Sequence, residues 1–262
     1  MIVGEPSHPA CDPGAGRRVG AGVRTTRSTA ALIAVSLLAL VACGDDDEPD
    51  AVGTTTSTTS TTVATTTSTT APSGLEQPAL WPAAGAVLAT PEEAAEDFVR
   101  EVLDVPPALG EFRRGDARSG EVDVLSPGEG GSPTSVVRST LLLRQLGPDD
   151  GWFVIGAQND NALVTAPASS AEVPAGPLTV EGRARGFEAT VTVTASVAGD
   201  TAAVLDDELT TGGALESPEP FTVTLDLGDA EPGDVVALLV RGGTGLETDP
   251  GDFGAIPVVV TG

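Results

Sequence analysis

From Phe187 to Val197 apolar and polar residues alternate without a break. Phe187, Ala189, Val191, Val193, Ala195 and Val197 fall on one side, and Glu188, Thr190, Thr192, Thr194 and Ser196 on the other. A period of two cannot gather its apolar residues onto one face of a helix, but it sorts them onto one face of a strand. Phe221, Val223, Leu225 and Leu227 repeat the pattern against Thr222, Thr224 and Asp226. A strand with one wet face belongs to an antiparallel sheet, because parallel sheets are covered on both sides.

Four more strands are predicted at 177–184, 203–209, 234–241 and 256–261, separated by clusters of Gly, Pro and Asp. Six or seven short strands in about 90 residues predict an all-β, immunoglobulin-like sandwich over 169–262.

Upstream the pattern changes. Every aromatic residue lies at Trp81 or later, so folded structure is expected to begin near residue 75. Thr90-Pro91-Glu92-Glu93 carries the elements of a helix start: a capping hydroxyl, a first-turn proline and a Glu at the third position. Ala94, Ala95, Phe98, Val99, Val102 and Leu103 follow at helical spacing, predicting a helix over 91–104 that Pro106-Pro107 stops. Apolar runs at 121–125, 134–146 and 152–156 read as strands; the bounding Pro133 and Gly147-Pro148 favour strand for the middle one and leave helix possible. The segment 75–168 is therefore expected to be a small α+β domain.

Before that, residues 30–42 form a 13-residue apolar run preceded by Arg24 and Arg27. This is too short for the roughly 20 residues of a membrane span and fits the apolar part of an export signal. The run ends at Leu40-Val41-Ala42-Cys43, which resembles the lipobox of bacterial lipoproteins. The resemblance implies cleavage after Ala42 and a diacylglyceryl thioether on Cys43, anchoring the chain to the extracytoplasmic face of the cell membrane. Residues 1–42 are thus expected to be a lipoprotein signal peptide, and a chain beginning at Val23 would give it a more usual length.

An acidic stretch follows Cys43, and then Thr54–Thr70, where 12 Thr and 3 Ser take 15 of 17 positions. With no apolar periodicity to offset the entropy of ordering, 43–74 reads as a disordered, Thr-rich tether of the kind that also accepts O-linked sugar.

Pro177-Leu178-Thr179-Val180-Glu181-Gly182, Gly186-Phe187-Glu188-Ala189-Thr190-Val191, Glu219-Pro220-Phe221 and Ile256-Pro257-Val258 together resemble the immunoglobulin-like domain of bacterial spore germination proteins. The likeness covers about 172–262 and departs from the usual pattern in the longer loop between Gly242 and Phe253. The preceding segment, with Arg113, Gly115 to Val122 and Gly151-Trp152, looks like a domain that accompanies it in actinobacterial lipoproteins. These resemblances imply an architecture, an envelope location and a link to envelope or germination processes.

Composition narrows the chemistry. The chain holds 38 acidic and 13 basic residues, with no Lys and no Tyr, and beyond residue 42 it contains no His and only one Cys. Lysine nucleophiles, Ser-His-Asp and Cys-His catalysis and His/Cys zinc sites are excluded from such a mature chain. A formal charge of -25 argues against nucleic acid as a partner.

Carboxylates remain. Arg113, Arg114, Asp116, Arg118 and Glu121 form a mixed-charge candidate binding segment, suited to a polar or anionic group through the planar arginine fork. The competing reading is an ion-pair network tying a turn to a sheet. Asn159-Asp160-Asn161 and Asp249-Pro250-Gly251-Asp252 offer oxygen ligands without any calcium-loop spacing and read as turns.

The expectation is a non-catalytic, lipid-anchored binding module for an envelope protein or a cell-wall glycan, with no catalytic residues, cofactor or metal. The alternative is a carbohydrate-binding or carboxylate-dependent glycan-acting enzyme. It would use Asp116 and Glu121 as an acid/base pair and Trp81 and Trp152 as stacking platforms.

Overall fold

The computed structural model describes residues 74–128 and 133–262. The signal peptide expected at 1–42, the expected lipidation site Cys43 and all but the last residue of the tether expected at 43–74 lie outside the described residues. In chain order the elements are α1 (Pro91–Glu101), β1 (Arg113–Arg114), β2 (Ser119–Pro127), β3 (Pro133–Leu146), β4 (Gly151–Gln158), β5 (Ala162–Ala166), β6 (Glu172–Pro174), β7 (Pro177–Ala184), β8 (Thr190–Val197), β9 (Val204–Thr211), β10 (Glu219–Asp226), β11 (Val235–Gly242) and β12 (Asp252–Thr261). Among the described residues the fold is mostly β, with one α-helix, and that helix is neither long nor apolar enough to cross a membrane.

The alternating segments become strands for the reason their period suggests. On β8, Val191, Val193 and Ala195 are fully buried, and they face Val180 and Ala184 of β7 and Phe221 and Leu225 of β10 across the sandwich. Strands β5, β7 and β10 make one sheet, in the order β10-β7-β5. The facing sheet runs β12-β11-β8-β9, with β6 parallel to the end of β12. This is the arrangement of an immunoglobulin-like sandwich.

Phe187 departs from the pattern. Expected as the first inward residue of β8, it is 48% exposed. The backbone turns at Glu188 and Ala189, with φ of 53° and 59°, so the strand starts only at Thr190.

Helix α1 starts as its sequence suggests. The Thr90 side chain accepts from the Glu93 backbone N–H at 3.1 Å, and Glu93 Oε2 reaches back to the Ala89 N–H at 3.0 Å. It ends at Glu101, three residues before the expected stop, but Leu103 beyond it is still buried. The segment 134–146, for which strand was favoured over helix, is strand β3. Ala94, Ala95, Phe98 and Val99 pack on Val122 and Val124 of β2, Leu141 and Leu143 of β3 and Val154 of β4.

Strands on both sides of residue 168 share one sheet. β4 pairs with β12 at Ala157 and Ala255, extending the larger sheet through β3 and β2 to β1. Strand β5, inside the segment expected to be α+β, pairs with β7 and supplies the sandwich's first strand.

Strand β12 serves two cores. Phe253 and Ala255 on one face join the core under α1, with the Phe253 ring 6.5 Å from that of Phe98, while Val258 and Val260 on the other face join the sandwich core. β11 divides in the same way, Ala237 and Leu239 turning toward α1 and Val236, Leu238 and Val240 into the sandwich.

Candidate functional site

The segment that carries the candidate binding residues is a short antiparallel ladder. β1 and β2 place Arg113 opposite Glu121 and Arg114 opposite Gly120. Arg113 holds Asp123 with both terminal nitrogens, Nη2 lying 2.8 Å from Oδ1, and reaches Glu121 Oε2 at 3.3 Å. The Arg113 bond lowers the Asp123 pKa; burial works against it, and the Thr140 hydroxyl at 2.8 Å works with it. Arg113 is raised in turn, first by its hydrogen bond to Asp123.

Asp116 closes the turn by accepting from the Arg118 backbone N–H at 2.7 Å, and that bond, followed by the Ser119 hydroxyl, holds its carboxyl below the usual range. Arg118 leaves the group and pairs with Asp150 at 2.8 Å, with Glu76 at 3.9 Å. The structure therefore brings Arg113 and Glu121 together around Asp123, sends Arg118 to the β3–β4 turn, and leaves Arg114 exposed without an acidic partner among the described residues. Four of the five candidates are engaged in local contacts: Arg113 and Glu121 across the ladder, Asp116 within its turn and Arg118 with the β3–β4 turn.

The tryptophans are core residues. Trp81 is 9% exposed and donates from Nε1 to Asp97 at 2.8 Å. Trp152 is 6% exposed and meets Phe112 edge-on, with ring centroids 5.5 Å apart.

A second charged cluster, which the sequence reading took only as turns, is buried. Asp249 and Asp252 are 2% and 4% exposed. Asp249 Oδ2 accepts from Arg138 Nη2 at 2.7 Å and from the Ser126 hydroxyl at 2.6 Å, and its Oδ1 accepts from the Gly251 N–H at 2.9 Å. Asp252 takes Arg185 Nε at 2.8 Å and Arg138 Nη1 at 3.5 Å. Burial by itself would raise the Asp249 pKa, but Arg138, Ser126 and Gly251 together outweigh it and the carboxyl stays below its ordinary value. With their oxygens committed to arginine, these aspartates act as turn and lock residues rather than as cation ligands. Asn159 likewise caps its own turn, accepting from the Asn161 N–H at 2.7 Å.

Two of the recesses among the described residues flank these elements. On the wet face of β8, Thr192, Thr194 and Ser196 border a groove of about 240 Å³ walled by Trp81 and Val102. A wider recess of about 580 Å³ lies where Glu76 to Pro78 meet the end of β12. Glu76 there accepts from the Gly147 N–H at 2.8 Å, the main reason its carboxyl also sits low.

Comparison with curated proteins and with solved structures finds no match to this chain. Residues 161–241, from the edge of β5 to the end of β11, match the family model described as the immunoglobulin-like domain of bacterial spore germination.

Proposed function

We propose that the chain is a non-catalytic binding module of the cell envelope. Cys43 anchors it by lipid to the extracytoplasmic face of the membrane, its Thr-rich tether holds the folded part away from the bilayer, and its partner is an envelope protein or a cell-wall glycan. The match of 161–241 to the germination domain supports a role in germination-related or other envelope processes. Nucleic acid is not among the partners.

One observation carries the non-catalytic reading. The carboxylates whose pKa departs from the ordinary range, Glu76, Asp116, Asp123 and Asp249, all move down. A general acid working near neutral pH needs the opposite shift, produced by an apolar, unpaired setting. Here arginine and backbone N–H groups keep carboxylates ionised, a condition that suits structural ties and binding.

Incubation of the chain with peptidoglycan fragments and envelope polysaccharides tests this. No new reducing ends are expected. Cleavage that disappears in Asp116→Asn or Glu121→Gln would establish the glycan-acting enzyme instead. Fractionation of cells expressing Cys43→Ala tests the anchor, and full membrane retention of that variant would refute it.

A further inference from the structure

Three loops meet at one end of the sandwich: 185–189 between β7 and β8, 212–218 between β9 and β10, and 243–251 between β11 and β12. Each presents a large apolar side chain to solvent, Phe187 at 48%, Leu215 at 44% and Leu246 at 62% exposure. Each of these is followed by a glutamate, Glu188, Glu216 and Glu247, all exposed. Of the eight large apolar side chains exposed among the described residues, only these three precede an acid. Single exposed apolar residues are ordinary on any surface. The same apolar–acid pair on three converging loops is not explained that way.

The loops are joined to one another at their bases. The Phe187 N–H donates to the Gly243 carbonyl at 2.8 Å, the Gly186 N–H to Gly213 at 3.0 Å, and the Gly212 N–H to Ala189 at 2.9 Å. A Cβ on Gly242 would lie 1.7 Å from the Arg185 carbonyl oxygen, so glycine is what lets the first and third loops approach this closely. Beneath the third loop, Asp249 accepts from Arg138 and Ser126, and beneath the first, Arg185 is held by Asp252. A surface fixed in this way loses little freedom on binding.

We infer that this loop end is a docking surface for a protein partner whose apolar contact patch is rimmed by Lys or Arg. The assignment rests on the binding-module reading and gives it a place and a chemistry. Complementary charge fixes the kind of partner: the exposed charges within the three loops, Glu188, Glu216 and Glu247, are negative, Arg185 is paired to Asp252, and Arg183 beside the second loop is held on the Pro218 carbonyl at 3.1 Å. A second copy would bring a like rim and a formal charge of -25 against it. Anionic lipid headgroups would be repelled in the same way.

The test is fluorescence anisotropy of the full chain with two labelled amphipathic peptides of equal length, one of Leu and Lys, the other of Leu and Glu. The Leu/Lys peptide is expected to bind. Replacing Phe187, Leu215 and Leu246 together by Ser is expected to weaken it about tenfold or more. Replacing Glu188, Glu216 and Glu247 together by Lys should do the same and transfer binding to the Leu/Glu peptide. Reversing three acids elsewhere, Glu101, Asp149 and Asp229, is expected to weaken binding less than about threefold. Hydrogen exchange on the unaltered chain should show protection by the Leu/Lys peptide confined to the three loops.

No binding of the Leu/Lys peptide, equal loss in the distant reversal, unchanged binding by the Ser variant, protection elsewhere, or preference for anionic vesicles would each overturn the assignment. None of these outcomes bears on glycan cleavage, which decides the non-catalytic reading separately.

Discussion

Asp249→Ala is the sharpest perturbation of this fold, because one carboxylate serves three donors contributed by different parts of the chain. Its removal takes the carboxylate acceptor from Arg138 Nη2, which keeps only the Ser126 Oγ at 3.3 Å, and from the Ser126 hydroxyl and the Gly251 N–H, at a site that is 2% exposed. Deleting one partner of a buried ion pair costs about 3–5 kcal/mol. Asp252, 3.5 Å from Arg138 Nη1, keeps part of the compensation, which points to the lower end, about 3 kcal/mol. For a folded region of this size that lowers Tm by about 6–12 °C.

Equilibrium unfolding in urea measures the difference, and an unchanged slope with denaturant shows that the unfolded state is comparable. The pH dependence adds a second constraint. The folded Asp249 pKa is depressed, so its stabilisation is fully present above the unfolded carboxyl value, about 3.9. It is lost as pH falls from there through the folded pKa. The gap between the unaltered chain and Asp249→Ala should therefore hold from pH 7 to about pH 5 and close below about pH 4. A loss under about 1 kcal/mol at pH 7, or a gap that does not narrow in acid, would show that the cluster is not the lock described here.

Three further outcomes follow from the packing. Thr90→Ala removes the hydroxyl that accepts from Glu93 and should cost about 1 kcal/mol by thermal melting, with little change in far-ultraviolet circular dichroism at room temperature. Phe98→Ala empties the centre of the contact between α1 and Phe253 and should cost about 3–5 kcal/mol in urea; a loss below about 1.5 kcal/mol would mean that the helix contributes little to holding the sheet. A fragment of residues 170–262 loses strand β5 and bares Phe253, Ala255 and Leu239, so it should melt well below the full chain, and an equal Tm would show the sandwich to be independent of the upstream strands.

How much of this fold is legible in the sequence depends on how many faces each strand buries. β8 alternates because its outer residues Thr192, Thr194 and Ser196 border an open groove while Val191, Val193 and Ala195 fill the sandwich. β11 and β12 read as nearly continuous apolar runs, Val235 to Val240 and Phe253 to Val260. Such runs mark strands covered on both sides. Periodicity identifies the strands, but it does not say what covers the second face. Here that cover comes from α1, more than a hundred residues away in sequence, through the contact of Phe98 with Phe253. The short strands β5 and β6 carried no alternation long enough to announce them, and they exist because β7 and β12 offered unpaired edges.

The charged residues divide by the same rule of distance. Arg113, Glu121 and Asp123 lie within one hairpin, so their clustering was visible in the sequence, and in the structure Arg113 is paired with both acids. Arg138 and Asp249 are 111 positions apart, and nothing local to either distinguishes it from the exposed charges around it. What distinguishes them is where the folded strands put them. β3 carries Arg138 to the edge of the sandwich, and the long 243–251 loop folds back over it so that Asp249 can reach the guanidinium. The 243–251 loop thus buries Asp249 as an anchor and exposes Leu246.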